Sequence, residues 1–220
     1  MGLLDLPERR SSMRQHTAFI IAVTLALWPE ASRAAEPAGP PTLSAGQRAA
    51  LEDGEVIVAV TREDTANRAE VIAVIDGAPA DVFAVITDFS SYERWVADQV
   101  ESVVVSGEAG RFVLQGETRV PVFRNRTYRL DDVHRTEVID GHTVYIDEWD
   151  YIQGSGNMDE NEGFWIVMPY NGDEARSLIR MVLYADLGML LPPAVINWGT
   201  RRALPNLVAG IQSETSRRNP

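Results

Sequence analysis

Between residues 100 and 185 the chain repeats one pattern, and that pattern leaves few folds open. Six runs rich in β-branched and aromatic residues follow one another at about ten-residue spacing: Val100–Val105, Phe112–Val120, Arg126–Val133, Thr143–Ile152, Phe164–Met168 and Ser177–Ala185. The breaks carry turn chemistry, at Ser106-Gly107, Pro121, Asp140-Gly141, Gly154-Ser155-Gly156-Asn157 and Asn171-Gly172-Asp173. Such residues either accept positive φ or fix φ where a reversal needs it. No gap is long enough for a crossover helix, so the strands must pair mainly antiparallel.

The flanking segments supply the helices. Ser44 to Leu51 reads as a short helix with Ser44 as N-cap and Gly54 past its end. Two strand runs follow, Glu55–Val60 and Glu70–Ile75, the second closed by Asp76-Gly77. Pro79 then stands where a helix would begin, and Val82, Phe83, Val85, Ile86 and Phe89 have helical spacing, extended by Tyr92 and Trp95. From Pro193 to Ser216 the period changes again. Leu204, Leu207, Val208 and Ile211 fall at i, i+3, i+4 and i+7, on one face of a helix that Pro205 is predicted to bend.

The order is therefore helix, two strands, helix, six strands and one long helix. A sheet of that size must bury its apolar face, and only two helical segments are available to cover it. This predicts an α+β chain, a curved antiparallel sheet wrapped around the long C-terminal helix. One helix is about 10 Å wide and leaves part of such a grip unfilled, so a cavity is expected between sheet and helix.

The N-terminus reads as an address. Arg9, Arg10 and Arg14 precede an apolar run from Thr17 to Trp28, followed by the small residues Ala31, Ser32, Ala34 and Ala35. The run is too short to span a bilayer as a helix, which takes about 20 residues, and it fits the apolar region of a secretory signal. The expected organisation is a signal-like leader over 1–35, a flexible lead-in over 36–42 and one ligand-binding domain over 43–217, with a periplasmic or secreted location.

Charge and cysteine content then exclude several functions. A net charge of −12 argues against nucleic acid and against broad adhesion to anionic membranes. With no cysteine, disulfides, thiolate metal sites and cysteine nucleophiles are excluded. His134 and His142 flank the Asp140-Gly141 turn, and no third ligand stands at helical or hairpin spacing, so both read as surface histidines rather than a zinc site. Gly154-Ser155-Gly156 lacks the Gly-x-Ser-x-Gly of a nucleophile elbow. Asn157, Asp159 and Asn161 lack the glycine and glutamate positions of a calcium loop. No catalytic residue, metal or cofactor is assigned.

Three stretches carry a resemblance. They are Ala78-Pro79 through Trp95; Val120-Pro121-Val122-Phe123-Arg124-Asn125-Arg126-Thr127-Tyr128; and Gly154 to Asn157 with Gly163-Phe164-Trp165, Pro169, Tyr184, Leu191-Pro192-Pro193 and Leu204-Pro205. Over about residues 43–215 the chain resembles the START-related (SRPBCC, helix-grip) superfamily, including its polyketide-cyclase-like and lipid-transfer branches. The resemblance implies a hydrophobic cavity for a lipid, sterol-like or aromatic compound. In lipid-transfer members an Arg-Asp pair is usual where this chain has Arg126-Thr127.

The candidate ligand-binding set is Arg126, Tyr128, Tyr145, Asp147, Trp149, Tyr151, Trp165, Tyr184, Leu190 and Trp198. In the strand Thr143–Ile152, Tyr145, Asp147, Trp149 and Tyr151 share one face, large apolar bodies with a few polar tips; pocket lining and cross-strand packing both fit. Arg126 is the inward cation that the resemblance implies, either fixing a ligand or forming a structural ion pair. Arg180 reads as outward. The 188–193 loop has two readings, packing under the helix or a cavity mouth that touches a membrane transiently. The favoured function is non-catalytic binding, transport or sensing of a hydrophobic small molecule by a monomer. The alternatives are a polyketide-type cyclase or dehydratase and a protein-binding scaffold with a filled core.

Overall fold

The computed structural model describes residues 38–63, 66–120, 123–189 and 192–219. The leader, the start of the lead-in, Pro121, Val122, Leu190 and Leu191 lie outside the described residues.

Helix α1 (Ala45–Glu52) opens on a complete capping box: Ser44 accepts from the Gln47 backbone N–H, and Gln47 reaches back to the Ser44 N–H. Strands β1 (Ile57–Glu63) and β2 (Ala66–Asp76) follow, then α2 (Pro79–Ile86) with proline in its first turn. The helix that begins at Pro79 is shorter than its helical spacing through Phe89 predicts. It stops at Ile86 and gives way to a 3₁₀ turn (Phe89–Ser91) and a one-turn helix, α3 (Tyr92–Trp95). Asp88 and Ser90 hydrogen-bond locally here, which competes with continued helix.

Six strands come next: β3 (Gln99–Glu108), β4 (Arg111–Thr118), β5 (Arg126–Ile139), β6 (His142–Tyr151), β7 (Glu160–Tyr170) and β8 (Asp173–Asp186). They join β1 and β2 in one antiparallel sheet of order β1-β2-β8-β7-β6-β5-β4-β3, with β1 and β3 at the open edges. Turn residues set the registers. Asp140 and Gly141 both have positive φ, so a two-residue turn pairs Ile139 with His142 and fixes every pair along the β5–β6 hairpin. Asn171 and Gly172 likewise both have positive φ between β7 and β8.

Helix α4 (Pro193–Arg218) covers the inner face and runs on through Pro205. Leu204, Val208 and Ile211 enter the main core with Val71, Ala73, Ile75, Ile179 and Met181 from the sheet and Val82, Val85 and Ile86 from α2. Gln212 ties the helix to the end of β2, accepting from the Asp76 N–H at 2.9 Å and donating to its carbonyl at 3.2 Å. This is the α+β helix grip expected from the strand spacing.

Glu214 anchors the far end of α4. It is buried, and it accepts hydrogen bonds from Arg217 and Arg218, with Arg94 at 3.3 Å. Arg218 also reaches Asp88 at 2.6 Å. Arg217 and then Arg218, against the opposing effect of burial, hold the Glu214 pKa down at about 2. A depressed carboxylate stabilises the fold above its ordinary pKa near 4.5, and the gain disappears as pH falls toward 2. Glu214→Gln is therefore expected to cost about 1–2 kcal/mol at pH 7, solvent screening of the exposed Arg217 keeping the loss modest. The difference from the unaltered protein should vanish near pH 2. Urea denaturation at pH 7, 4 and 2 checks this; a constant difference across the three would contradict it.

Candidate functional site

Alternation along the strands decides which side chains face α4. On β5 the inward residues are Arg126, Tyr128, Leu130, Asp132 and His134; on β6 they are Tyr145, Asp147, Trp149 and Tyr151. The inner face and α4 leave a cavity of about 230 Å³. Its walls are mostly apolar: Leu114, Leu130, Trp149, Trp165, Met181 and Leu183 from the sheet, Leu207 from α4. Phe89, Tyr92 and Val96, from the segment between α2 and β3, close another side. Gly116 and Gly163 keep the neighbouring space open for aromatic rings. A Cβ on Gly116 would meet the Tyr128 ring at 2.4 Å, and one on Gly163 would meet the Trp149 ring at 2.6 Å.

The polar groups in the cavity fall into two sets. Gln99 and Tyr128 hydrogen-bond each other, with Thr118 donating to Gln99 at 3.3 Å. Trp149 Nε1 donates to Asn161 at 3.1 Å, so its ring is oriented. The second set is acidic. Asp132 and Asp147 both line the cavity, each about 1% exposed, and His134 Nε2 lies 2.8 Å from one and 3.0 Å from the other. The ring N–H is aligned on neither oxygen, so these are close charge contacts rather than directed hydrogen bonds. Phe83, Phe89 and Phe112 surround the imidazole at 5.6, 5.7 and 4.8 Å between ring centres.

This surrounding shifts the protonation of the cluster. Burial disfavours the charged imidazole, but the Asp132 and Asp147 carboxylates outweigh it and raise the His134 pKa to about 9. Burial first, and the neighbouring Asp132 charge, lift Asp147 to about 7 against the pull of His134. Tyr92, whose hydroxyl donates to the Ile86 carbonyl, is raised well above its usual value by burial and by the two carboxylates.

The sequence candidates separate accordingly. Tyr128, Asp147, Trp149 and Trp165 line the cavity. Tyr145 faces the same side but is covered by Phe83 of α2, with ring centres 5.3 Å apart. Tyr151 is buried nearby and its hydroxyl accepts from the Gly156 N–H at 3.2 Å. Arg126 is buried at the end of the inward row. Its Nη2 lies 2.7 Å from Met189 Sδ, and its Nε has no hydrogen-bond partner among the described residues. Tyr184 lies on the outer face of the sheet, in a separate cluster with Phe164 and Val182; its strand alternation opposes that of Met181 and Leu183. Trp198 is 68% exposed on α4, away from the cavity walls. Leu190 lies outside the described residues. Arg180 faces away from the cavity but is buried there rather than solvated, paired with Glu70 at 2.7 Å and donating to the Gly39 carbonyl at 2.9 Å.

His134 departs from its sequence expectation. It is not a surface histidine: its side chain is 16% exposed and sits between two buried carboxylates. The signal was available. Five residues back from Ile139 and five on from His142, the Asp140-Gly141 turn places His134 opposite Asp147, and Asp132 shares their face two residues away. Histidine spacing along the chain did not show it because the ligand-like set assembles across the ladder.

The family model described as polyketide cyclase / dehydrase and lipid transport matches residues 66–216. No curated protein matches the chain. The fold is similar to that of a STAR-related lipid transfer protein from Xanthomonas axonopodis (TM-score 0.62, 15% identity, 73% of this chain and 93% of that one). It is also similar to human StAR-related lipid transfer protein 5 (0.58, 12%, 74% and 88%) and to the Zhui aromatase/cyclase of a Streptomyces species (0.55, 12%, 70% and 95%). With the matched region running from β2 almost to the end of α4, the chain belongs to the polyketide cyclase/dehydrase and lipid transport family.

Proposed function

We propose that the protein binds a small hydrophobic molecule in the cavity between the sheet and α4 and carries it without chemical change, after export by the N-terminal leader. The observation that carries this reading is the cavity itself, about 230 Å³ of space walled by tryptophan, leucine and methionine side chains. A cavity of roughly 150 Å³ already admits benzene, and drug-sized ligands take roughly 300–1,000 Å³. The fitting guest is thus a mono- or bicyclic compound, or the end of a longer chain, with one hydrogen-bonding group near Gln99 and Tyr128. This is smaller than the sterol-like ligand suggested by the family resemblance. Shielding favours carriage: each Å² of apolar guest surface removed from water gains about 25 cal/mol. The 188–193 loop, from which Met189 meets Arg126, is the proposed mouth and point of membrane contact, and the carrier is proposed to act as a monomer.

Native mass spectrometry of protein purified gently from its own host tests this. A bound apolar compound of one defined mass is expected, released when the chain unfolds. Repeated absence of any bound compound, together with no uptake of small aromatic probes, would overturn the reading.

A second reading is favoured by one observation, the Asp132 and Asp147 carboxylates on the cavity wall. Beside a bound polyketide-like chain they would be placed to move protons in a cyclisation or dehydration. Recovery of a guest altered in mass after incubation would select this reading over carriage. A scaffold with a filled core is disfavoured by the size of the cavity.

A further inference from the structure

We propose that Asp132, His134 and Asp147 form a zinc site at the inner wall of the cavity. The ligand-capable atoms of the three residues all lie within 4.8 Å of one another. They come from two adjacent strands: Asp132 and His134 at i and i+2 on one face of β5, and Asp147 directly opposite His134 on β6. Strand geometry holds such neighbours at fixed separations, so the set is assembled by the hairpin before any ion arrives.

The three atoms meet each other and no hydrogen-bonding group outside the cluster among the described residues. Among the described residues, Asp132 Oδ1, His134 Nε2 and Asp147 Oδ1 each lie buried without an aligned hydrogen bond. All three converge on the same small volume, with His134 Nε2 2.8 and 3.0 Å from the two oxygens. Ligand atoms on a common tetrahedral zinc, at bond lengths of about 2.0–2.1 Å, stand about 3.3–3.4 Å apart. The two nitrogen–oxygen contacts, at 2.8 and 3.0 Å, would open by about half an ångström or less to admit the ion.

Charge favours the same conclusion. A divalent cation would leave no net charge in this apolar wall. Two carboxylates, a neutral imidazole and a divalent cation sum to zero. One nitrogen and two oxygens make a donor set that suits zinc, and the phenylalanine rings around His134 fix the imidazole plane. Both aspartates also line the cavity, so a fourth coordination position would face the guest space, as in open zinc sites. The proposal does not rest on carriage, since an ion can bind whether or not a guest does.

The test uses the full chain, expressed with zinc in the medium and purified without chelator. About one zinc per chain by elemental analysis is expected, falling at least tenfold in Asp132→Asn and Asp147→Asn and unchanged in His142→Gln. In case a variant fails to fold, the unaltered protein is loaded with cobalt(II) and its histidine ring resonances are recorded. Paramagnetic shift or broadening of His134, with His142 spared, supports the site. Zinc below a tenth of an equivalent in the unaltered protein, zinc that persists in both asparagine variants, or broadening of His142 alone would overturn it. A cluster that holds only a proton gives the first of these results.

Discussion

Replacing His134 with alanine, in the presence of chelator so that no metal contributes, is expected to cost about 3–5 kcal/mol of stability. His134 is the cation between Asp132 and Asp147, 2.8 and 3.0 Å from them, in a shell of phenylalanine rings. Without it two carboxylates are left buried side by side, and near pH 7 the loss falls at the low end of this range, because Asp147, whose pKa burial and Asp132 raise to about 7, takes up a proton. At about 2–4 °C per kcal/mol for a chain of this size, the melting temperature should fall by about 10 °C. The second site makes the cause identifiable. Asp147→Asn added to His134→Ala removes one of the opposed charges and should restore at least half the loss. The double variant then loses less than the sum of the two single losses, a large negative coupling. Guanidinium denaturation of the two single variants and the double variant measures it. If the two losses simply add, His134 contributes packing rather than charge.

The second large effect is on binding. Leu207 projects from α4 into the cavity, and Leu207→Trp would fill space that the guest needs. Affinity for a small bicyclic probe such as 1-naphthol, followed by fluorescence, is expected to fall at least tenfold, about 1.4 kcal/mol. Stability should change by less than about 1 kcal/mol, because the new ring enters open space rather than a packed core. Val195→Trp, on an exposed part of the same helix, should leave affinity unchanged. Equal affinity in the Leu207 and Val195 variants would place the probe elsewhere.

The fold was legible where local chemistry alone decides it. Ten-residue strand spacing, the positive-φ pairs at Asp140-Gly141 and Asn171-Gly172, the Ser44 cap and Pro79 at a helix start all act within a few residues of themselves. The i, i+3, i+4, i+7 face of α4 was legible for the same reason, and Leu204, Val208 and Ile211 enter the core. What failed depended on packing between distant segments. The chain leaves helical geometry at Ile86 because Asp88 and the serines beside it offer competing hydrogen bonds, and the released segment supplies Phe89, Tyr92 and Val96 to the cavity.

The site was half legible. Alternation put Tyr145, Asp147, Trp149 and Tyr151 on one face of β6, but it could show neither that this face is the inward one nor that Phe83 would cover Tyr145. Tyr184 was separable in principle, since it shares strand parity with the outward Arg180. Trp198 was not, because one turn of an amphipathic helix does not reveal where the sheet ends. The acid–histidine cluster needed the hairpin register as well as the residue types.

The central claim is that an apolar guest lodges between the sheet and α4. The direct measurement is isotope-filtered nuclear Overhauser spectroscopy of the protein saturated with 1-naphthol. Cross-peaks from the guest to Leu114, Leu130, Met181 and Leu207 are expected, all four being cavity walls. Cross-peaks confined to exposed Val103, Val104 or Trp198, or none at all, would contradict it.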